Sequence, residues 1–113
     1  MKQYNYDCYE DNYIYIINVG RNAKENWELI DMSNHNDIWF HVADSPSSHV
    51  VLSVGDIKKP HRKVIKYCAF LCKSHSKVKN MNKVSIIYTT INNIVKSKNI
   101  GSVITKNTKI IKL

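Results

Sequence analysis

Between Lys59 and His75 the chain carries its one sustained helical stripe. Val64, Ile65, Cys68, Ala69 and Cys72 fall on one face at i, i+4 spacing, with Lys63, Lys66 and Lys73 elsewhere around the helix. Pro60 suits the first helical position, where its missing N–H costs nothing. Almost everything else is short and rich in β-formers. One long amphipathic helix among short strands must bury its stripe against a sheet. The expected fold class is therefore α+β, a mainly antiparallel sheet with one long helix and one short helix.

The strands are read in order. Tyr4, Tyr6 and Cys8 alternate with polar residues, Glu10 to Asn12 supply turn chemistry, and Tyr13 to Val19 is a β-branched and aromatic run, which together predict a hairpin. Gly20 ends the second strand, and Asn22 to Ile30 predicts a helix of one or two turns capped by Asn22. Asp37–Val42 and His49–Val54 are strands around the polar loop Ala43-Asp44-Ser45-Pro46-Ser47-Ser48. After the long helix come a strand from Val84 to Thr89 and a polar segment from Asn92 to Gly101. Two last runs follow, Ser102–Thr105 and Lys109–Leu113, with Lys106, Asn107 and Thr108 expected as their turn.

At 113 residues the expected organisation is one domain, 1–113, and 43% hydrophobic content with seven tyrosines is too apolar for a disordered segment. No apolar run approaches the roughly 20 residues of a membrane-spanning helix. The start Met1-Lys2-Gln3-Tyr4-Asn5 lacks the apolar core of a signal peptide, so a cytoplasmic location is expected. Three cysteines, two of them on the helix, make a poor disulfide framework and are read as free thiols.

Charge is divided unevenly along the chain. Residues 1–50 carry three basic and eight acidic side chains, a balance of −5, whereas residues 51–113 carry fourteen and one, a balance of +13. So one-sided a field favours a polyanion, nucleic acid ahead of an anionic membrane face, without saying what sequence is read. The lysines of Lys58–Lys83 and Lys96–Lys112 interleave with Tyr67, Tyr88 and many asparagines, as a phosphate-contacting surface does.

The densest polar cluster surrounds the 43–48 loop: His41, His49, Asp37, Asp44, Ser45, Ser47 and Ser48. Hydrolysis by Ser, His and Asp needs a sharp nucleophile elbow and an oxyanion hole, and no Gly-x-Ser-x-Gly is present. No catalytic residue is assigned. In a regular strand Asp37, Trp39 and His41 share one face and Ile38, Phe40 and Val42 the other. The first face either stacks and hydrogen-bonds a base or covers a second layer, with His41 tying down the loop. Cys68, Cys72 and His75 lack the second ligand pair of a zinc site, so core packing is expected and neither metal nor cofactor is assigned. Gly20-Arg21-Asn22-Ala23-Lys24-Glu25-Asn26 is either an anion site at a helix start or a plain capped turn.

In order along the chain stand Gly20 to Asn26, Leu29, Asp37-Ile38-Trp39-Phe40-His41-Val42, Asp44, Pro46 and Ser48-His49-Val50-Val51-Leu52. With weaker matches at Cys68-Ala69, Ser76, Val84–Tyr88 and Gly101, they resemble the NFACT-R domain over nearly the whole chain. The resemblance implies a non-catalytic RNA-binding module of the kind found in ribosome-associated quality-control factors, with tRNA or rRNA as partner, the ribosome nearby, and DNA or a protein partner as alternatives. Carried over by position, it points to Arg21, Asn22, Lys24, Asn26, Trp39, His41, Asp44, Ser48 and His49 as nucleic-acid-binding residues, with Gly20 and Asp37 in the same pattern. Many members read Pro-Gly-Ser-His where this chain reads Pro46-Ser47-Ser48-His49, so a glycine-permitted backbone is in question at Ser47. The 113 residues include no NFACT-N domain, helix-hairpin-helix or coiled coil, so tRNA-guided tailing is not implied. A single RNA site requires the basic half and the 43–49 loop to share a surface. Oligomeric state stays open.

Overall fold

The computed structural model describes residues 1–113. The chain runs β1 (Lys2–Cys8), β2 (Tyr13–Val19), α1 (Ala23–Met32), β3 (Ile38–Val42), β4 (Val50–Ser53), α2 (Arg62–Ser74) and β5 (Ser85–Thr90). A single 3₁₀ turn, Ile91–Asn93, leads into β6 (Ile94–Lys96), β7 (Val103–Thr105) and β8 (Lys109–Lys112). Six strands form one sheet in the order β1-β2-β4-β3-β5-β8, with every neighbour antiparallel. The fold is α+β, as the single stripe and the short runs require.

The β1–β2 hairpin closes where Asn12 adopts a positive φ of 50°, which asparagine tolerates better than most residues. Asp11 does more than turn the chain. Its carboxylate accepts hydrogen bonds from Tyr15 Oη at 2.6 Å and from the backbone N–H of His61 at 2.9 Å, tying the hairpin tip to the start of α2.

Alternation in the strands divides the interior into two layers. Tyr15, Ile17, Phe40, Val42, Leu52 and Ile86 face α2, which contributes Val64, Cys68, Ala69, Leu71 and Cys72 to a core cluster of 16 residues. The opposite face buries Leu29, Trp39, Val51, Ile91 and Ile94, a cluster of 5 roofed by α1 and the start of β6. All three cysteines are free and buried.

Three sequence expectations are corrected. The long helix starts at Arg62, with the His61 side chain accepting from Lys63 N, so Pro60 lies ahead of the cap. The short helix reaches Met32, ten residues, because Leu29 has a second layer to pack against. Most consequentially, β7 and β8 do not pair. β7 pairs with β6 as a separate two-stranded ribbon and β8 returns to the edge of the main sheet beside β5, so residues 106–108 cross between sheets. No helix is long and apolar enough to cross a membrane.

Candidate nucleic-acid interface

The site begins with the way β2 hands the chain to α1. Gly20 N donates to the carbonyl of His49 at 2.9 Å, joining the end of β2 to the residue just before β4. Asn26, on the inner face of α1, accepts from His49 N at 3.2 Å through Oδ1. That oxygen sits where a Cβ on residue 20 would be, so only glycine permits this approach. Asn22 caps α1 by accepting from Glu25 N at 2.9 Å, and the first N–H groups of the helix have no partner within it.

Beside this clamp the three rings of Trp39, His41 and His49 meet. Trp39 and His41 stack with centroids 5.6 Å apart and planes 6° apart, and His49 stands edge-on to both at 5.3 Å. His41 Nδ1 lies 2.6 Å from the Val42 carbonyl. That geometry makes Nδ1–H the donor and leaves Nε2 as an acceptor. Burial lowers the pKa of both imidazoles, and the neighbouring His41 lowers His49 further, to about 3. Both are therefore neutral at pH 7 and meet a ligand as hydrogen-bonding groups, not as cations. The His49 ring is 2% exposed and its Nδ1 has no partner, an uncommon state for a buried polar atom.

The β3–β4 loop is braced from below. Ser47 Oγ accepts from Val42 N at 3.1 Å, donates to the Ser48 carbonyl at 3.2 Å and lies 3.9 Å from Cys72 Sγ. The family glycine is replaced here without strain. Positive φ occurs instead at Asp44, 58°, and Ser47 needs none.

These pieces enclose an open cleft of about 740 Å³, lined from five segments: 20–23 with Asn26, His41, 44–49, 75–77 and 100–102. It collects Arg21, Asn22, Asn26, His41, Asp44, Ser48 and His49 of the sequence-assigned residues. Two lie outside it. Trp39 is 1% exposed and is the floor under His41, so its ring cannot stack on a base. Lys24 points away along α1, 3.9 Å from Glu28. Asp37 is likewise structural, accepting from Asn34 N and Val54 N while 3% exposed.

Sequence reasoning assigned no binding role to the far wall, His75-Ser76-Lys77 and Ile100-Gly101-Ser102, although Ser76 and Gly101 were weak matches to the family pattern. Gly101, φ 82°, packs against Ala23 at the start of α1, and Trp27 Nε1 donates to the Ser102 carbonyl at 3.0 Å. The isolated glycine after a polar run was the one local signal.

Arg21 and Lys77 supply the cleft's cations, and Asp44 is its one carboxylate. Arg21 is already engaged, its guanidinium bonded twice to Glu25 at 3.1 and 2.9 Å. This pairing, reinforced by the amino terminus, holds the Glu25 carboxyl far below the usual carboxylate range. Of the fourteen basic residues in the second half, only Lys77 reaches the cleft. The expectation of one surface uniting the loop with the basic half fails everywhere but at that residue.

Coiled-coil domain-containing protein 25 from Bos taurus is 37% identical over 90 residues, covering 74% of this chain and 42% of that protein. The Rqc2 homolog RqcH of Bacillus subtilis is 32% identical over 91 residues, covering 80% of this chain and 15% of that one. The solved C-terminal region of the fibronectin/fibrinogen-binding protein from Streptococcus suis superposes with a TM-score of 0.83 at 28% identity, over 100% of this chain and 45% of that one. The chain thus spans less than half the length of each relative. A family model for the NFACT protein RNA binding domain matches residues 2–112, taking in the Gly20–Asn26 turn, the β3–β4 loop and both helices, and the chain belongs to that family.

Proposed function

We propose that the chain is a non-catalytic module that binds RNA, tRNA or rRNA in the setting of ribosome-associated quality control, through the cleft between α1 and the β3–β4 loop. The observation that carries this reading is the convergence of five separate segments on one open cleft that holds Arg21, Lys77 and the start of α1. Membership of an RNA-binding family supports it, and similarity to a protein named as an Rqc2 homolog supports the ribosomal setting. First-turn amides of α1, Lys77 and Arg21 suit a phosphate. His41 Nε2 and the Ser48 hydroxyl suit the edge of an unpaired base, which is how RNA sequence is commonly read.

The test is binding of tRNA, rRNA fragments and duplex DNA across a salt series, for the native chain and for a variant carrying Arg21→Ala and Lys77→Ala. Both positions are exposed, so folding should survive. The expected result is preference for RNA, weakened in the variant, with a salt slope reduced by about 1 to 2. Absence of binding at low salt, or affinity equal for all three and unchanged in the variant, overturns the reading.

A second reading, a protein-docking module, is favoured by the fibronectin/fibrinogen-binding protein among the structural relatives. Under it, His41→Ala leaves RNA binding intact and abolishes capture of a protein partner.

A further inference from the structure

The basic residues that the cleft does not use are not scattered. Lys63, Lys66, Tyr67, Phe70 and Lys73 form one ridge along α2, opposite its buried stripe, with Lys63, Lys66 and Phe70 exposed and Tyr67 and Lys73 half-buried. From Lys63 to Lys73 this ridge is about 15 Å long. Tyr6 of β1 leans against it, its ring centroid 4.9 Å from that of Tyr67. Lys79, from the segment after α2, completes a shallow groove of about 420 Å³ that shares no residue with the cleft.

Two properties of the groove are not explained by folding. Phe70 is 56% exposed on a helix whose five buried residues already fill the core. Among the lysines, only Lys63 has a carboxylate partner, Glu10. Lys66 and Lys79 have none, and Lys73 donates to a backbone oxygen, that of Leu113. Aromatic rings set between unneutralised cations are what a single-stranded polynucleotide needs. The rings stack on bases whatever their identity, and the lysines follow the phosphates.

We propose that this α2 groove is a second binding surface, for a single-stranded RNA segment, acting without sequence preference. It stands independently of the cleft. The two lie on either side of the 73–79 segment, which lines the groove through Lys73, Ser74 and Lys79 and the cleft through His75, Ser76 and Lys77.

The experiment measures anisotropy of a labelled oligouridylate, with an acidic peptide and anionic phosphatidylserine vesicles as competing probes. The proteins are the native chain, Phe70→Ala, the double variant Lys66→Ala with Lys79→Ala, and Lys77→Ala as the cleft control. Thermal unfolding checks that each variant is folded. Phe70→Ala is expected to weaken oligouridylate about 5- to 150-fold. The lysine pair is expected to lower the salt slope by about 1.4, and Lys77→Ala should leave the Phe70 effect in place. If Phe70→Ala binds oligouridylate as the native chain does, the proposal falls. It falls equally if the lysine pair changes only peptide or vesicle binding. Loss confined to Lys77→Ala would leave the cleft reading standing and overturn this one.

Discussion

Asn26 shows how much one polar atom can organise. Its Oδ1 both receives His49 N and dictates glycine at position 20. In Asn26→Leu the amide of His49 stays buried and loses its partner, which costs about 1–3 kcal/mol. The expected readout is a lower urea midpoint with an unchanged slope. Acid is the second residue-scale test. The folded-state pKa of His49 is about 3, below the ordinary 6.5, so between these values the unfolded chain binds the proton that the folded chain refuses. Stability is complete above about pH 6.5 and is lost as pH falls toward 3. His41 and His75 shift downward as well, chiefly through burial. At pH 5 the His49 ring should still be unprotonated by NMR, and the denaturation midpoint should be lower than at pH 7; a His49 titrating near 6.5 would contradict the buried geometry. Some of this was legible in the sequence, because Asn22 as a cap and the two faces of β3 follow from local pattern. Trp39 was not, since alternation tells which residues share a face but not whether a second layer covers it. Ser47 misled for a related reason. A lost glycine is visible in sequence, whereas the hydroxyl's ties to Val42 and Ser48 exist only after β3 and β4 pair.

Among the elements, the β6–β7 ribbon is the one that pattern reading could not place. Ile94–Lys96 is three residues inside a polar stretch, too short for alternation to register, and Val103–Thr105 resembles half of a hairpin with β8. Its partner is decided by tertiary contacts: Gly101 against Ala23, Trp27 Nε1 to Ser102, and Lys96 paired with Asp31 at 2.7 Å. Gly101→Ala therefore tests the whole attachment. A side chain there meets both a φ of 82° and the Ala23 backbone, and a cost on the order of 1–3 kcal/mol is expected. Hydrogen exchange should accelerate across 94–105 and the first turn of α1 while the α2 amides keep their protection. Uniform acceleration would mean the ribbon is integral to the main core. The strands and helices of the main sheet were legible because each is long enough to show its period. The bounds of α1 and α2 moved most, where capping and packing decide the ends, while those of β3, β4 and β5 shifted by one residue at an end.

For the whole molecule, the sheet separates two unequal layers and two unlike surfaces. The cleft is formed by the junction of α1 with the β3–β4 loop and carries few net charges, while the basic half of the chain lies mainly elsewhere. A count of lysines along the sequence foresees the polyanionic partner but cannot foresee this division, because the fold sends Lys77 one way and its neighbours another. The larger layer holds a further consequence. Cys8, Cys68 and Cys72 are each 0% exposed, and burial raises all three thiol pKa values, Cys72 to about 12. Reaction of a thiol requires both access and a thiolate, so in the native molecule each sulfur must wait for its surroundings to open. An alkylating reagent at pH 8 should leave the folded protein unmodified over the interval in which the unfolded chain takes up three equivalents; rapid native labelling would show that the α2 layer opens locally. The three sulfurs thus serve as a stopwatch sealed inside the core, started only when the helix lifts from the sheet.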